Sequence, residues 1–228
     1  MIAGFSKFIN QYLAPLLSLT SLVLVVFVFL SPVSMLNTQV SLLTVRPTGD
    51  NSDGPSIFLG PLGSCERPSN DAGVNCTQPN ANPKYDTSFL PGNAPDLLSA
   101  PIAATPVFIA ISIAFTIAFF FMFTFTAFRH RMGKFGALFE KPDVQRASAW
   151  VGLFGFMTGL ICFLITRVWF GKAVEDFNKT IISGGTNSPQ LVADTSNGFI
   201  MVWVAYAFYA VPLVSSMAKL HVTATKQV

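Results

Sequence analysis

Cys65 and Cys76 are two of only three cysteines in the 228-residue chain, and both fall in its one long polar stretch, with Glu66 to Asn75 between them. The pair reads as a disulfide, which forms and persists in an oxidising compartment. Closing that loop stabilises the fold by about 3 kcal/mol in the chain-entropy model. If the bridge pins a small loop-and-strand cap, residues from about Val33 to Thr105 lie outside the cytosol. Other reactive side chains suggest little chemistry. His130 and His221 have no cysteine or carboxylate cluster to complete a metal site. His130 stands in Arg129-His130-Arg131, an anionic-lipid contact or, as the plainer reading, a positive anchor. Cys162 lies in an apolar run, where a thiol is usually inert. Nucleophile-elbow, P-loop and HExxH patterns are missing from the sequence. We therefore expect no catalytic, cofactor-binding or metal-ligating residue, no cofactor, and a protein that is not an enzyme.

The elements that must carry the cysteine pair are apolar. Hydrophobic residues make up 51% of the chain, charged residues 11%, and 23 residues are phenylalanine. Runs of about 20 apolar residues cross a bilayer, and the sequence divides accordingly. Residues 1–14 form an N-terminal segment and 15–33 a first span. A large loop follows at 34–105, then a second span at 106–128. A basic connector occupies 129–148, a third span 149–170 and a second loop 171–198. The fourth span is 199–217, with a short tail at 218–228. The net charge of +3 is too small to argue for nucleic acid.

Within the spans a few residues stand out. The start, Met1 to Leu13, is mildly amphipathic; it lies on the membrane or, more plainly, leads into the first span. That span is long for a signal peptide and lacks a small-residue cleavage site, so it reads as a retained helix. The Phe119-to-Phe125 run is either a lipid or sterol contact surface or ordinary lipid-facing packing. Trp150 and Trp169 fall near the two ends of the third span, as interfacial tryptophans do. Gly152, Gly155 and Gly159 share one face there, so another backbone can approach closely; packing within the chain's own bundle is favoured over a dimer seam. Pro212 is expected to kink the fourth helix. Arg167, near the third span's end, snorkels, pairs with Glu175 or Asp176, or contacts a partner's helix.

Charge distribution sets orientation. The connector carries Arg129, Arg131, Lys134, Lys141 and Arg146 against only Glu140 and Asp143, and Lys7, Lys219 and Lys226 lie on the same side. The positive-inside rule places both termini in the cytosol, in agreement with the disulfide. Two glycosylation sequons, at Asn75 and Asn178, fall in the loops this orientation puts outside. In the first loop, Gln39 to Val45 partly alternates as a strand and Ile57-Phe58-Leu59 is a second strand candidate. Glu66 to Asn75 reads as polar loop, and a short turn is expected at Asp96-Leu97-Leu98. The second loop contains the Gly/Ser-rich run Ser183 to Ser188.

Four spans, internal termini, a large first outer loop and Gly60-Pro61-Leu62-Gly63-Ser64-Cys65 ahead of Cys76 resemble the claudin-like tetraspan superfamily. The Gly-x-x-Gly-x-Cys form is most similar to its fungal branch, the Sur-type cortical-patch (eisosome) and PalI-type proteins. The resemblance carries over to Gly60, Gly63, Cys65 and Cys76. It implies an all-α membrane bundle of four transmembrane helices with a small disulfide-pinned, β-containing extracellular cap. The chain lacks the Gly-Leu-Trp triplet of animal claudins, which argues against tight-junction strands. The spans contain no acidic residue, unlike the path of a proton- or cation-coupled carrier. The expected function is non-enzymatic organisation of a plasma-membrane microdomain, with membrane lipids, including sterol, and other membrane proteins or further copies of the chain as partners. An accessory subunit of a larger channel, pump or synthase is the alternative, favoured by the short tail; a pH- or calcium-response component is a weaker one.

Overall fold

The computed structural model describes residues 9–48, 53–92, 94–95, 98–131, 133, 136, 139 and 141–225. The expectations for the amphipathic start before Ile9, for the turn at Asp96-Leu97, and for Lys7, Lys134, Glu140 and Lys226 lie outside these residues. So do the side chains of His130, Lys219 and His221.

Among the described residues, four helices are long and apolar enough to span a membrane, as those of a multi-pass membrane protein are. A π-helical turn at Ile9–Leu13 leads into α1 (Ala14–Leu30), which contains no charged residue. The second helix, α2 (Ala104–Ala127), is likewise uncharged. Such runs become helix because each backbone N–H and C=O is satisfied within the segment itself, whatever surrounds the side chains. The third, α3 (Pro142–Ser183), is 42 residues long, or roughly 63 Å at 1.5 Å per residue. It begins with proline, preorganised for a first helical position, and Asp143 complements the positive end of the helix dipole. The fourth, α4 (Gly198–Thr225), runs without interruption through Pro212.

Length is where α3 departs from expectation. The span read from hydropathy ends at Phe170, yet the helix continues to Ser183. Hydropathy falls there because charged and polar residues enter, and the helix continues on contacts rather than on apolar content. Lys172 pairs with Asp176 at 2.6 Å and Lys179 with Glu175, each one turn apart, and Phe177 is fully buried. The Gly/Ser-rich run is correspondingly tighter than a loop, with a 3₁₀ turn at Gly185–Asn187.

The described residues fall into two compact units, one from segments 1–25, 110–161 and 203–228, the other from 26–109 and 162–202. The first is helical. Its core is formed by Phe119, Phe123, Ala149, Ala205, Tyr206, Tyr209 and Leu213, interleaved with buried Ser18, Ser21, Ser112, Thr116 and Ser148. The phenylalanine run divides by helical phase: Phe119 and Phe123 point inward, whereas Phe121 is half exposed.

The second unit contains a five-stranded antiparallel sheet: β1 (Leu43–Pro47), β2 (Ser56–Leu59), β3 (Ser64–Arg67), β4 (Asn75–Cys76) and β5 (Leu191–Thr195). The order is β4-β3-β2-β1-β5, so the segment between α3 and α4 adds a strand to the sheet of the first loop. Val45 faces Ile57 on one side and Ala193 on the other, and all three are fully buried, as are Leu43 and Leu59. That alternation makes one side of the sheet core. Phe58, on the opposite side, is covered by the Arg67 guanidinium 5.8 Å from its ring centre. The first strand begins at Leu43 rather than Gln39, because Gln39 and Val40 turn back on Leu36 through backbone hydrogen bonds of 2.9 and 3.1 Å. Strands β3, β4 and β5 are additions to the sequence reading.

Candidate functional site

Cys65 and Cys76 are directly opposed across β3 and β4 and form a disulfide, with Cα atoms 4.1 Å apart. That closeness is characteristic of a non-hydrogen-bonded antiparallel pair. Cys65 is fully buried. The flanking hydrogen bonds are supplied by Thr77, whose backbone N–H donates to Ser64 O at 2.9 Å. Its hydroxyl accepts from Ser64 N at 3.0 Å and donates to Ser64 O at 3.2 Å. Thr77 thus completes both the sequon and the hairpin, a second role that sequence reasoning missed. Asn75 is exposed on the same strand.

The two motif glycines occupy crowded places. A Cβ on Gly60 would collide with the Ser31 carbonyl oxygen and Pro32, and one on Gly63 with the Thr77 hydroxyl. The turn is closed by Gly60 N–H donating to Gly63 O at 2.9 Å, and Tyr85 donates its hydroxyl to Gly60 O at 2.8 Å. Tyr85 also stacks on Phe170, ring centres 6.4 Å apart, and burial pushes its phenol pKa well up. Ser31 donates to Val40 O, so the end of α1 is tied to the approach to β1. Nothing in the sequence around Ser31 or Tyr85 signals these roles, since each depends on a residue distant along the chain.

If the bridge holds this sheet, replacing either cysteine alone and replacing both should damage it about equally. The expected loss is about 3 kcal/mol, read as increased protease sensitivity of the folded protein and reduced delivery to the cell surface. A benign double variant would show that the sheet stands without the bridge.

Glu66 lies on the core side of β3, opposite Ile57, with Oε2 buried and no partner for that oxygen among the described residues. Burial, and secondarily the charge of Asp86, raise its pKa; a side-chain hydrogen bond with Asn75 opposes them. A carboxyl whose folded pKa exceeds its unfolded value costs stability above the folded pKa and regains it as pH falls through that value. Glu66→Gln should therefore raise the melting temperature at pH 7 and lose that advantage by about pH 3, well below the unfolded carboxyl pKa. A difference that persists at about pH 3 would assign the effect to packing instead.

Asn178 on α3 is committed at both ends of its amide. Nδ2 donates to Ala193 O at 2.9 Å, and Oδ1 accepts from Ala193 N at 2.9 Å. These peptide groups point outward from the edge strand β5, so the side chain occupies an edge that would otherwise invite another strand. A glycan on Nδ2 would sacrifice that bond.

In the helical unit the three glycines of α3 receive side chains from α2 and α4. The Phe119 ring lies on Gly152, and Tyr209 donates its hydroxyl to Gly152 O at 3.1 Å. Ser112 donates to Gly155 O at 2.7 Å. At Gly159 the Tyr206 and Ser112 hydroxyls fill the space a Cβ would need. The glycine spacing was legible in the sequence; its partners Ser112, Tyr206 and Tyr209 were not. Phe123, Thr126, Gln145, Ser148 and Ser216 line a recess nearby that is of water size.

Arg167 does not pair with Glu175 or Asp176, which are held by Lys179 and Lys172. Its guanidinium lies over the Phe199 ring, 5.3 Å from the centre. Two lysines one turn from those acids on the same helix are better placed than an arginine two turns away. Trp169 donates Nε1–H to Ser99 O at 3.2 Å, and Trp150 is half exposed. Cys162 is a free, partly buried thiol. Among the described residues no group of three or more His, Cys, Asp or Glu is placed to hold a metal ion.

The described residues thus combine four long apolar helices with a disulfide-pinned sheet. No protein-family model matches the chain, and no curated protein matches it.

Proposed function

We propose that the chain is a non-enzymatic, claudin-like tetraspan membrane protein of the fungal Sur/PalI type, which organises a plasma-membrane microdomain by lateral packing. In this reading 34–105 and 171–198 are extracellular and both termini cytosolic. The observation that carries it is the sheet: strands from two segments, separated in sequence by α2 and α3, join in one disulfide-pinned layer in a chain of four long apolar helices. Outward-facing Phe154, Ile161, Ile165, Val168, Ile200 and Val214 suit contact with lipid or a neighbouring helix. The basic connector and the disulfide supply independent arguments for the orientation.

An accessory subunit of a larger membrane complex is the second reading, favoured by Arg167, which among the described residues has no carboxylate partner and is flanked by exposed apolar side chains. Purification of the tagged chain from its native membrane in gentle detergent separates the two. A particle of this chain and lipid alone is the expected result. One stoichiometric partner protein would overturn it and transfer the function to that partner's complex.

A further inference from the structure

We propose that Arg167 forms a binding site for the phosphate of one phospholipid, a site that rests on the membrane-spanning reading. The guanidinium lies over the Phe199 ring, and Phe199 is only 3% exposed, so the platform is rigid. Its Nη1 sits 3.3 Å from where a Cβ on Gly171 would stand, so the glycine one turn on leaves the head group room. Stacking on an aromatic face consumes none of the five N–H donors. No carboxylate, carbonyl or hydroxyl among the described residues accepts from them, and the nearest acids along α3 are paired with Lys172 and Lys179.

The setting identifies the missing acceptor. Ile165 (58% exposed) and Val168 (72%) flank Arg167 on α3, and Ile200 (66%) follows Phe199 on α4, each with outward apolar surface. Trp169, the next residue but one, is partly exposed and anchored through Ser99 O. Apolar side chains beside a tethered tryptophan mark the boundary between acyl chains and head groups. The anion present at that depth is the phosphodiester, whose two free oxygens match the guanidinium fork. A carboxylate on a partner's helix would satisfy the same donors but would leave the apolar surface on one of the two helices uncovered; acyl chains cover both.

The test uses the full chain in lipid nanodiscs, with Trp150→Phe and Trp203→Phe so that Trp169 alone reports. Brominated phosphatidylcholine is compared with brominated galactosyl-diacylglycerol, which lacks phosphate, as a quencher of Trp169 fluorescence. The phospholipid should quench at roughly tenfold lower content, the preference one charge-assisted hydrogen-bonded pair supplies. Arg167→Gln should abolish the preference, and Arg167→Lys, which keeps the charge and the fold but loses the fork, should retain part of it. Equal quenching by both lipids in the parent protein, or a preference that survives Arg167→Gln, would overturn the site. Absence of quenching by either lipid would instead overturn the membrane-spanning reading on which it rests.

Discussion

Gly159→Ala should destabilise the helical unit by about 2–3 kcal/mol, and Gly159→Leu should prevent it from assembling. A single methyl at this position occupies the space of the Tyr206 and Ser112 hydroxyls. Neither can retreat cheaply. Tyr206 is buried and packs edge-on against Phe156 at 5.6 Å, and Ser112 is bonded to Gly155 O. The measurement is the fraction of protein that remains monodisperse in detergent after a heating series. The reciprocal experiment is more discriminating: Tyr206→Phe removes one of the two colliding oxygens, so Gly159→Ala/Tyr206→Phe should recover part of the loss, the Ser112 hydroxyl still standing in the way. Additive losses in the double variant would show that contact at Gly159 is not what limits the approach of α4.

Gly60→Ala is expected to be comparably severe in the other unit, at about 2–3 kcal/mol. There the obstacle is backbone: the added carbon meets the Ser31 carbonyl oxygen and Pro32. Relief would require the turn to move away from the end of α1, breaking the Gly60–Gly63 and Tyr85–Gly60 hydrogen bonds together. The consequence should appear as protease cleavage within 34–105 and as greater accessibility of Cys65 and Cys76 to reductant. Gly92→Ala is the control, because a Cβ there meets nothing within 4 Å; it should be neutral. Equal behaviour of the two variants would show that crowding at Gly60 does not explain the glycine motif.

These two positions also show the reach of sequence reasoning. Gly152, Gly155 and Gly159 announce a close approach by their spacing, because small residues on one helical face have few other uses. The spacing is silent about the partner. Gly60 and Gly63 suit a tight turn or a close backbone approach because they lack a Cβ, but what approaches Gly60 is Ser31, far along the chain. Arg167 illustrates the opposite limit. Its position near the end of an apolar run was evident, whereas its acid partners were inferred from proximity along the chain and had already been taken by lysines at better helical spacing.

Features that depend on local composition were legible before folding. The four apolar helices follow from runs too hydrophobic to remain in water, and the Cys65–Cys76 bridge from two cysteines confined to one polar segment. The strand at Ile57 to Leu59 was legible from its bulky apolar residues between turn residues. The remainder came from contacts between distant segments. The short strands β3 and β4 carry no periodic signal in four and two residues, and β5 becomes a strand only because β1 offers it an edge, with Arg46 and Asp194 meeting across it at 3.1 Å. The extension of α3 beyond Phe170 is held by ion pairs and one buried phenylalanine rather than by hydropathy. Composition records which surfaces must be buried or paired; which distant segment satisfies each of them is settled only when the chain has folded.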